Sequence, residues 1–307
     1  MSVKAITVTL LAPMENHIAN GGEKLLGNAS SIKRRPDGRV YISGQMQRHA
    51  LFSAIERLNL DSSGRANTYV SNGDGVTNEV ERDLRADMGG FLHTNAGDYS
   101  GRRTAPVTAT PAVAQDESNV GRDLLVRIKM NDDAESEQKQ ALATNEFSQA
   151  DLMAMSFHLD ATALSVSKKF SYKDEKHVET TYVKHVGDDE RARRAALFLQ
   201  ATGALTDYAN QARNATSGEP QQVFIVLDSR LSRKASRYFQ MIDAERRNLE
   251  RELEARGATF FYGNDKTADG LSVAEAYAQA QASLDEAGLY DPSGGADPVP
   301  FAEAMRA

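Results

Sequence analysis

The sequence predicts an α+β fold of the ferredoxin-like kind, the arrangement that also underlies RNA-recognition modules. Three observations carry that expectation. The chain has 307 residues, 40% hydrophobic and 26% charged, ordinary values for a globular protein of one elaborated domain or two. Short apolar alternations and helical stripes follow one another as β, α, β, β, α, β, with a further α, β and α at the end. Two polar segments, 61–120 and 165–185, interrupt that order and read as insertions on one small sheet.

Val3 to Leu11 alternates, with Ile6, Val8 and Leu10 on one side and Ala5, Thr7 and Thr9 on the other, so it opens the fold as a strand. Pro13 to Gly38 is polar and punctuated by Gly21-Gly22, Gly27-Asn28 and Pro36-Asp37-Gly38. Arg39 to Ile42 is a short extended piece. Ser43 then caps a helix running to about Leu58, with Ala50, Leu51, Ala54, Ile55 and Leu58 as its buried stripe. Residues 61–120 show little aliphatic periodicity and bury too little to serve stability, so the expectation is a functional or mobile stretch. Leu124 to Met130 and Leu152 to Leu159 are read as the next two strands, the latter with Met153, Met155, Phe157 and Leu159 on one face; the acidic spacer Asn131 to Gln140 is an exposed loop.

Ser165 to His185, with Lys168, Lys169, Lys173, Lys176 and Lys184, is an exposed hairpin. Asp188 to Leu205 is a helix whose leading acids suit its dipole. Val223 to Leu227 is apolar on both faces and therefore a central strand. Ser232 to Arg256 reads as one long helix, Ala258 to Tyr262 as a last strand and Leu271 to Ala287 as a last helix, with a loose Gly/Pro tail from Tyr290 to Pro300.

The chain contains no cysteine, which excludes disulfides, thiolate metal sites and thiol nucleophiles. No run of eighteen apolar residues is present, so no membrane span or membrane partner is expected; the amino-terminus reads as a strand and not as a signal peptide, and the expected location is cytoplasmic. The net charge of −7 is unevenly spread. Asp265 to Ala307 holds eight acids and two bases, which leaves the preceding residues nearly neutral. Ser30 to His49 carries Lys33, Arg34, Arg35, Arg39 and Arg48 against Asp37 alone, a pattern that suits a partner gripped in one groove; a solvated basic loop is the plain alternative.

Catalytic patterns are missing. Gly21-Gly22-Glu23-Lys24-Leu25-Leu26-Gly27 lacks the Gly-Lys-Ser/Thr ending of a phosphate loop, and the six histidines (His17, His49, His93, His158, His177, His185) have no metal-ligand spacing. Ser43 has no His–Asp pair around it, and Asp83, Asp87 and Asp98 are candidate carboxylates that a solvated loop explains equally well. Neither a cofactor nor a metal is expected, and the chain is not expected to be an enzyme. The binding signal is positive instead. Lys33, Arg34 and Arg35 precede a strand that feeds a helix opening with Ser43, Gln45, Arg48 and His49; its free N–H groups make a phosphate seat ringed by cations. Aromatic residues are few and tryptophan is absent, so RNA would be held by backbone and shape more than by its bases.

The same residues carry a family resemblance. The run from Ser30 to Phe52, SSIKRRPDGRVYISGQMQRHALF, resembles the signature of the repeated backbone subunit of type I CRISPR interference complexes (Cascade), in the DevR branch of the RAMP superfamily, associated with type I-B systems. Leu84–Phe91 resembles the family's Asp-x-x-Gly-aromatic/Met element, Arg103–Thr110 its Arg-x-x-Pro-Val segment, and Ala209–Asn214 its basic turn before the last core strand. The resemblance spans roughly residues 1–230. It implies a ferredoxin-like palm at 1–60 and 121–262, inserted fingers at 61–102, a thumb hairpin within 103–148, and a C-terminal helix with acidic tail at 263–307. It also implies that copies stack helically along one crRNA, which pairs with target DNA beside other Cascade subunits in antiviral defence. The guide-RNA contacts it implies are Lys33, Arg34, Arg35, Ser43, Gln45, Arg48, His49, Arg103 and Arg213, with Met88 and Phe91 at the kinked nucleotide. The acidic tail is expected to face outward or to touch a neighbour. A second reading is a RAMP-superfamily metal-dependent ribonuclease subunit that cuts target RNA, for which Glu15, Glu23 and Asp37 are the available acids; the turn preference of Pro36-Asp37-Gly38 accounts for Asp37 without catalysis.

Overall fold

The structure, a computed structural model, describes residues 2–25, 29–60, 77–95, 99–128 and 140–305. Asp98, the turn Gly27-Asn28, 61–76 and all but the last residue of the spacer Asn131–Gln140 lie outside them.

One strand organises the molecule. β10 (Gln140–Asp160) is 21 residues long and is paired along both edges. On one edge β1 (Ala5–His17) runs antiparallel from Ala5↔Asp160 to His17↔Ser148. The other edge takes three antiparallel partners in turn: β7 (Val107–Ala109) at Leu159–Phe157, β8 (Ala112–Ala114) at Ala154–Met153, and β9 (Val120–Ile128) from Ser148 to Gln140. β13 (Gln222–Asp228) lies antiparallel on the far side of β1, and β14 (Thr259–Asn264) closes that edge. Counting β7 with β8 as one interrupted strand, the order β13-β1-β10-β7/β8 with every neighbour antiparallel is what two interleaved βαβ units produce. The helix between the first pair is α1 (Gly44–Leu60), and the one between the second pair is α3 (Asp188–Thr202).

This corrects the strand assignment. The second core strand is Val107–Ala114, inside the stretch that looked unstructured, and not Leu124–Met130. Those short pieces, split at Pro111, carry too few side chains for a period to show. Leu124 to Ile128 belongs instead to the two-stranded arm that β9 makes with the first half of β10, beyond the end of β1. The first strand also extends past Leu11 to His17.

Both faces of the sheet are covered, by alternation along each strand. Ile6, Val8, Leu10, Met153, Met155, Phe157, Leu159, Val223, Ile225 and Leu227 face α1, α3 and α5 (Val273–Ala287). Leu11, Ala154, Phe224 and Val226 face the opposite layer. That layer was expected as one helix over 232–256, but it is a 3-10 turn (Lys234–Gln240) and a separate α4 (Asp243–Ala255). The break at Met241–Ile242 lets Tyr238 and Phe239 turn onto the sheet, with Tyr238 stacked on Phe224 at 3.8 Å, and α4 restarts where the Ile242 N–H donates to Glu245 at 3.0 Å.

The remaining short elements are β2 (Glu23–Lys24), β3 (Ser30–Ser31), β4 (Tyr41–Ile42), α2 (Leu84–Gly89), the ladder of β5 (Phe91–Asn95) with β6 (Tyr99–Arg103), and the hairpin of β11 (Val166–Lys173) with β12 (Lys176–Lys184). The tail is strapped down where looseness was expected. Lys184 ion-pairs Asp291 at 3.1 Å, the Val299 N–H donates to the Lys184 carbonyl, and α6 (Phe301–Ala304) buries Phe301 against Phe91 and His185. Burial opposes ionisation of Asp291, but hydrogen bonds from Ser293 and the charge of Lys184 outweigh it and bring the carboxyl down to about 2. Among the described residues no helix is long and apolar enough to cross a membrane.

Candidate nucleic-acid interface

The basic loop is a tight hairpin. Arg34 bridges Val40, the Arg35 N–H donates to the Arg39 carbonyl at 2.9 Å, and Pro36-Asp37-Gly38 forms the turn. Asp37 spends its carboxylate on Arg39, whose Nε donates to it at 2.8 Å and whose guanidinium holds it below the usual carboxylate range. Arg39 is thereby neutralised, while Lys33, Arg34 and Arg35 are not: Arg34 and Arg35 are exposed, and Lys33 is half-buried. Arg34 reaches Glu146 only at 3.8 Å, and Glu146 already accepts from Arg122 at 3.0 Å.

From this hairpin β4 leads into α1. The Ser43 hydroxyl accepts from the Met46 N–H at 3.2 Å and its carbonyl from the Gln47 N–H at 3.0 Å, so Ser43 is the cap that the sequence predicts. Gly44 follows because a Cβ there would stand 2.9 Å from the Ala109 carbonyl oxygen, and the helix start is pressed onto the loop between β7 and β8. The N–H groups of Gly44 and Gln45 have no intrahelical acceptor, no acid occupies the first turn, and Gln45 is exposed beside them.

A third piece is the turn 207–214. Tyr208, buried, donates its hydroxyl to Gln47 at 3.3 Å, and Asp207 pairs the exposed His49 at 3.4 Å. Asn210 adopts a left-handed backbone (φ 62°), donates to the Ile18 carbonyl at 3.2 Å, and accepts the N–H of Arg213, which stands exposed. Asn20 completes the join: its amide donates to the carbonyls of both Lys33 and Tyr41 at 3.1 Å. Hairpin, helix start and turn are thus tied together through residues 18–21, which hold the backbone at Lys33, Tyr41 and Asn210. Among the described residues Lys33, Arg35 and Arg213 form no close ion pair, though Arg35 feels the charge of Asp37.

Four expected contacts point elsewhere. Arg48 donates to the Gly89 carbonyl at 2.9 Å and lies over the Phe52 ring, and burial lowers its pKa, so it ties α1 to α2. Met88 is fully buried, and Phe91 packs edge-on against Phe301 at 5.2 Å. Arg103 is buried as well, its guanidinium bonded to Asp87, to Ser167 and to the carbonyls of Ala163 and Val166. Asp87 also accepts from Arg194 at 2.6 Å and from Ser165. Burial works against its charge, yet the two arginines win and keep the carboxyl below its ordinary value. The Leu84–Phe91 and Arg103–Thr110 motifs therefore meet each other at Asp87–Arg103 and lock the insertion to α3. Asp83, the other candidate carboxylate described, caps α2 through the N–H groups of Arg85 and Ala86. No group of three or more acidic or histidine side chains gathers as a metal ion requires among the described residues.

Asn20 and Asp207 carry the site yet were not singled out from sequence. The Asn20-Gly21-Gly22 turn was the available signal for the first; Asp207 offered none.

Residues 19–226 match a family described as CRISPR-associated negative auto-regulator DevR/Csa2. The chain belongs to that family. The matched span holds the basic hairpin, the capped helix start, both motifs that meet at Asp87 and the turn bearing Arg213, so the family resemblance seen in those residues is borne out. Two solved structures extend the likeness over about nine-tenths of the DevR/Csa2 chain. One, titled a CRISPR RNA-guided surveillance complex, superposes with a TM-score of 0.54 at 13% identity, covering 91% of this chain and 99% of the other. The second, of such a complex before nicking, gives 0.52 at 12% identity over 92% and 99%. At these identities the likeness is one of fold. No curated protein matches the chain.

Proposed function

We propose that this DevR/Csa2 chain is a non-catalytic backbone subunit of a Cascade-type complex that binds crRNA along its phosphodiester backbone and presents it for pairing with target DNA. The surface joining Lys33, Arg34, Arg35, the start of α1 and Arg213 carries the reading: cations, of which only Arg34 reaches an acid, at 3.8 Å, surround a helix start whose first N–H groups have no intrahelical acceptor. The palm is then the sheet with α1 and α3, to which 107–114 belongs; the fingers comprise 61–102, and the thumb is the arm of β9 with β10. Met88, Phe91 and Arg103 act by holding the fingers to the palm. Base pairing in the guide selects the sequence, which is why the protein needs no base-reading groups of its own.

The test is co-expression with a repeat–spacer RNA and measurement of the protein-to-RNA ratio after purification. Several copies on one protected RNA of defined length is the expected result. A chain that stays free of RNA with its partner subunits supplied would sink the proposal.

A further inference from the structure

A second run of positive charge, this one without an acid, lies outside the hairpin at Lys33. Between Ser229 and Ile242 there are four cations, Arg230, Arg233, Lys234 and Arg237, and no acid. All four are exposed. Lys234 is held by Glu252 of α4, but among the described residues the side chains of Arg230, Arg233 and Arg237 form no ion pair; Asp228 is met by the Arg230 N–H, not by its guanidinium. Like charges this close repel one another, which a fold without use for them would relieve by placing an acid between.

Their support is rigid, and its far end, at Phe239–Ile242, borders Arg39 of the hairpin. The 3-10 turn is pinned to the sheet where the Thr9 hydroxyl donates to the Ala235 carbonyl at 3.0 Å, with Tyr238 and Phe239 buried beneath it. It covers the face of the sheet opposite α1 and α3. On a 3-10 turn residues three apart eclipse, so Lys234 and Arg237 stand in line about 6 Å apart, with Arg230 and Arg233 just before them. The charge reaches inward too: burial first, and Arg233 second, hold His158 down at about 4.

We infer that Arg230, Arg233 and Arg237 form a second polyanion-binding surface, one that grips the phosphodiester backbone of a nucleic-acid duplex. Duplex is favoured over single strand by what accompanies the charge. The rings carried by the turn itself, Tyr238 and Phe239, are turned into the core, and the one beside them, Tyr262, is 40% exposed with its hydroxyl donated to Gln222, so the surface offers more cations than open rings, which suits a partner whose bases are already stacked inside. The inference rests on charge and placement and does not require the guide-RNA reading.

The experiment compares the full chain with R230Q/R233Q/R237Q, both free and co-purified with guide RNA, in binding to a labelled DNA duplex unrelated to the guide across a salt series. A K168Q/K173Q/K176Q variant of the β11–β12 hairpin removes equal charge elsewhere. The expected result is that the arginine variant loses at least tenfold in duplex affinity and its log–log salt slope falls by about 3, while guide-RNA loading is unchanged and the lysine variant keeps the wild-type slope. An unchanged slope in a variant with wild-type circular dichroism overturns the inference. So does an equal loss in both variants, which makes the effect one of net charge, or a matching loss of guide RNA, which makes the surface part of the first site. A preference for single-stranded RNA over duplex refutes the choice of ligand. Because the free chain is assayed too, failure to load guide RNA is seen separately.

Discussion

Asp87 accepts four hydrogen bonds from Arg103, Arg194 and the backbone and hydroxyl of Ser165, with no exposure to water. Two guanidiniums share its negative charge; both also donate to main-chain carbonyls, and Arg194 has a second carboxylate in Glu190 at 2.9 Å. Asp87→Asn keeps the shape but leaves the buried Arg103 without its counter-charge and Arg194 with Glu190 alone. The expected cost is about 3–5 kcal/mol, read as a lowered denaturation midpoint at an unchanged slope. Little of this was legible beforehand. Asp87 and Arg103 both stood out as residue types, but one was taken for a solvated loop acid and the other for an RNA contact. Ion-pair geometry is a property of the folded chain, and Arg194 lies 107 positions away from its partner.

Several elements with a strong period were read correctly from the sequence, though 232–256 ran two elements into one, and those bounded by turn chemistry alone were missed. The stripe Ala50, Leu51, Ala54, Ile55 gave α1 together with its Ser43 cap, and the polar alternation of 165–185 gave the β11–β12 hairpin. β7 and β8, three residues each, could not reveal themselves, because a period needs more repeats than they contain. The tail misled for another reason: Gly and Pro in 290–300 signal the lack of a helix, which is not the lack of anchorage. Lys184, His185 and Phe91 supply that anchorage from distant parts of the chain. Phe301→Ala empties the socket between Phe91 and His185. We expect a loss of about 3–5 kcal/mol and faster hydrogen exchange at the Val299 N–H, with protection in β1 little changed.

For the whole molecule, the part of the site legible in sequence was its charge, and the part that was not was its assembly, since Asn20 and the turn 207–214 act only once β1 and β13 lie side by side. Replacing Lys33, Arg34 and Arg35 together with Ala should weaken single-stranded RNA binding across all sequences and flatten the log–log salt dependence by about 2, measured by fluorescence anisotropy; an unchanged slope would move the groove elsewhere. The long strand β10 has its own consequence at this scale. From Ser148 to Asp160 it is the spine of the sheet, and from Gln140 to Ser148 it is one rail of the arm, without interruption. Such an arm has no elbow. It works as a ruler fixed to the core, about 3.3 Å per residue, and its reach is graduated in twos, because adding a single residue to each rail turns every side chain beyond it to the opposite face.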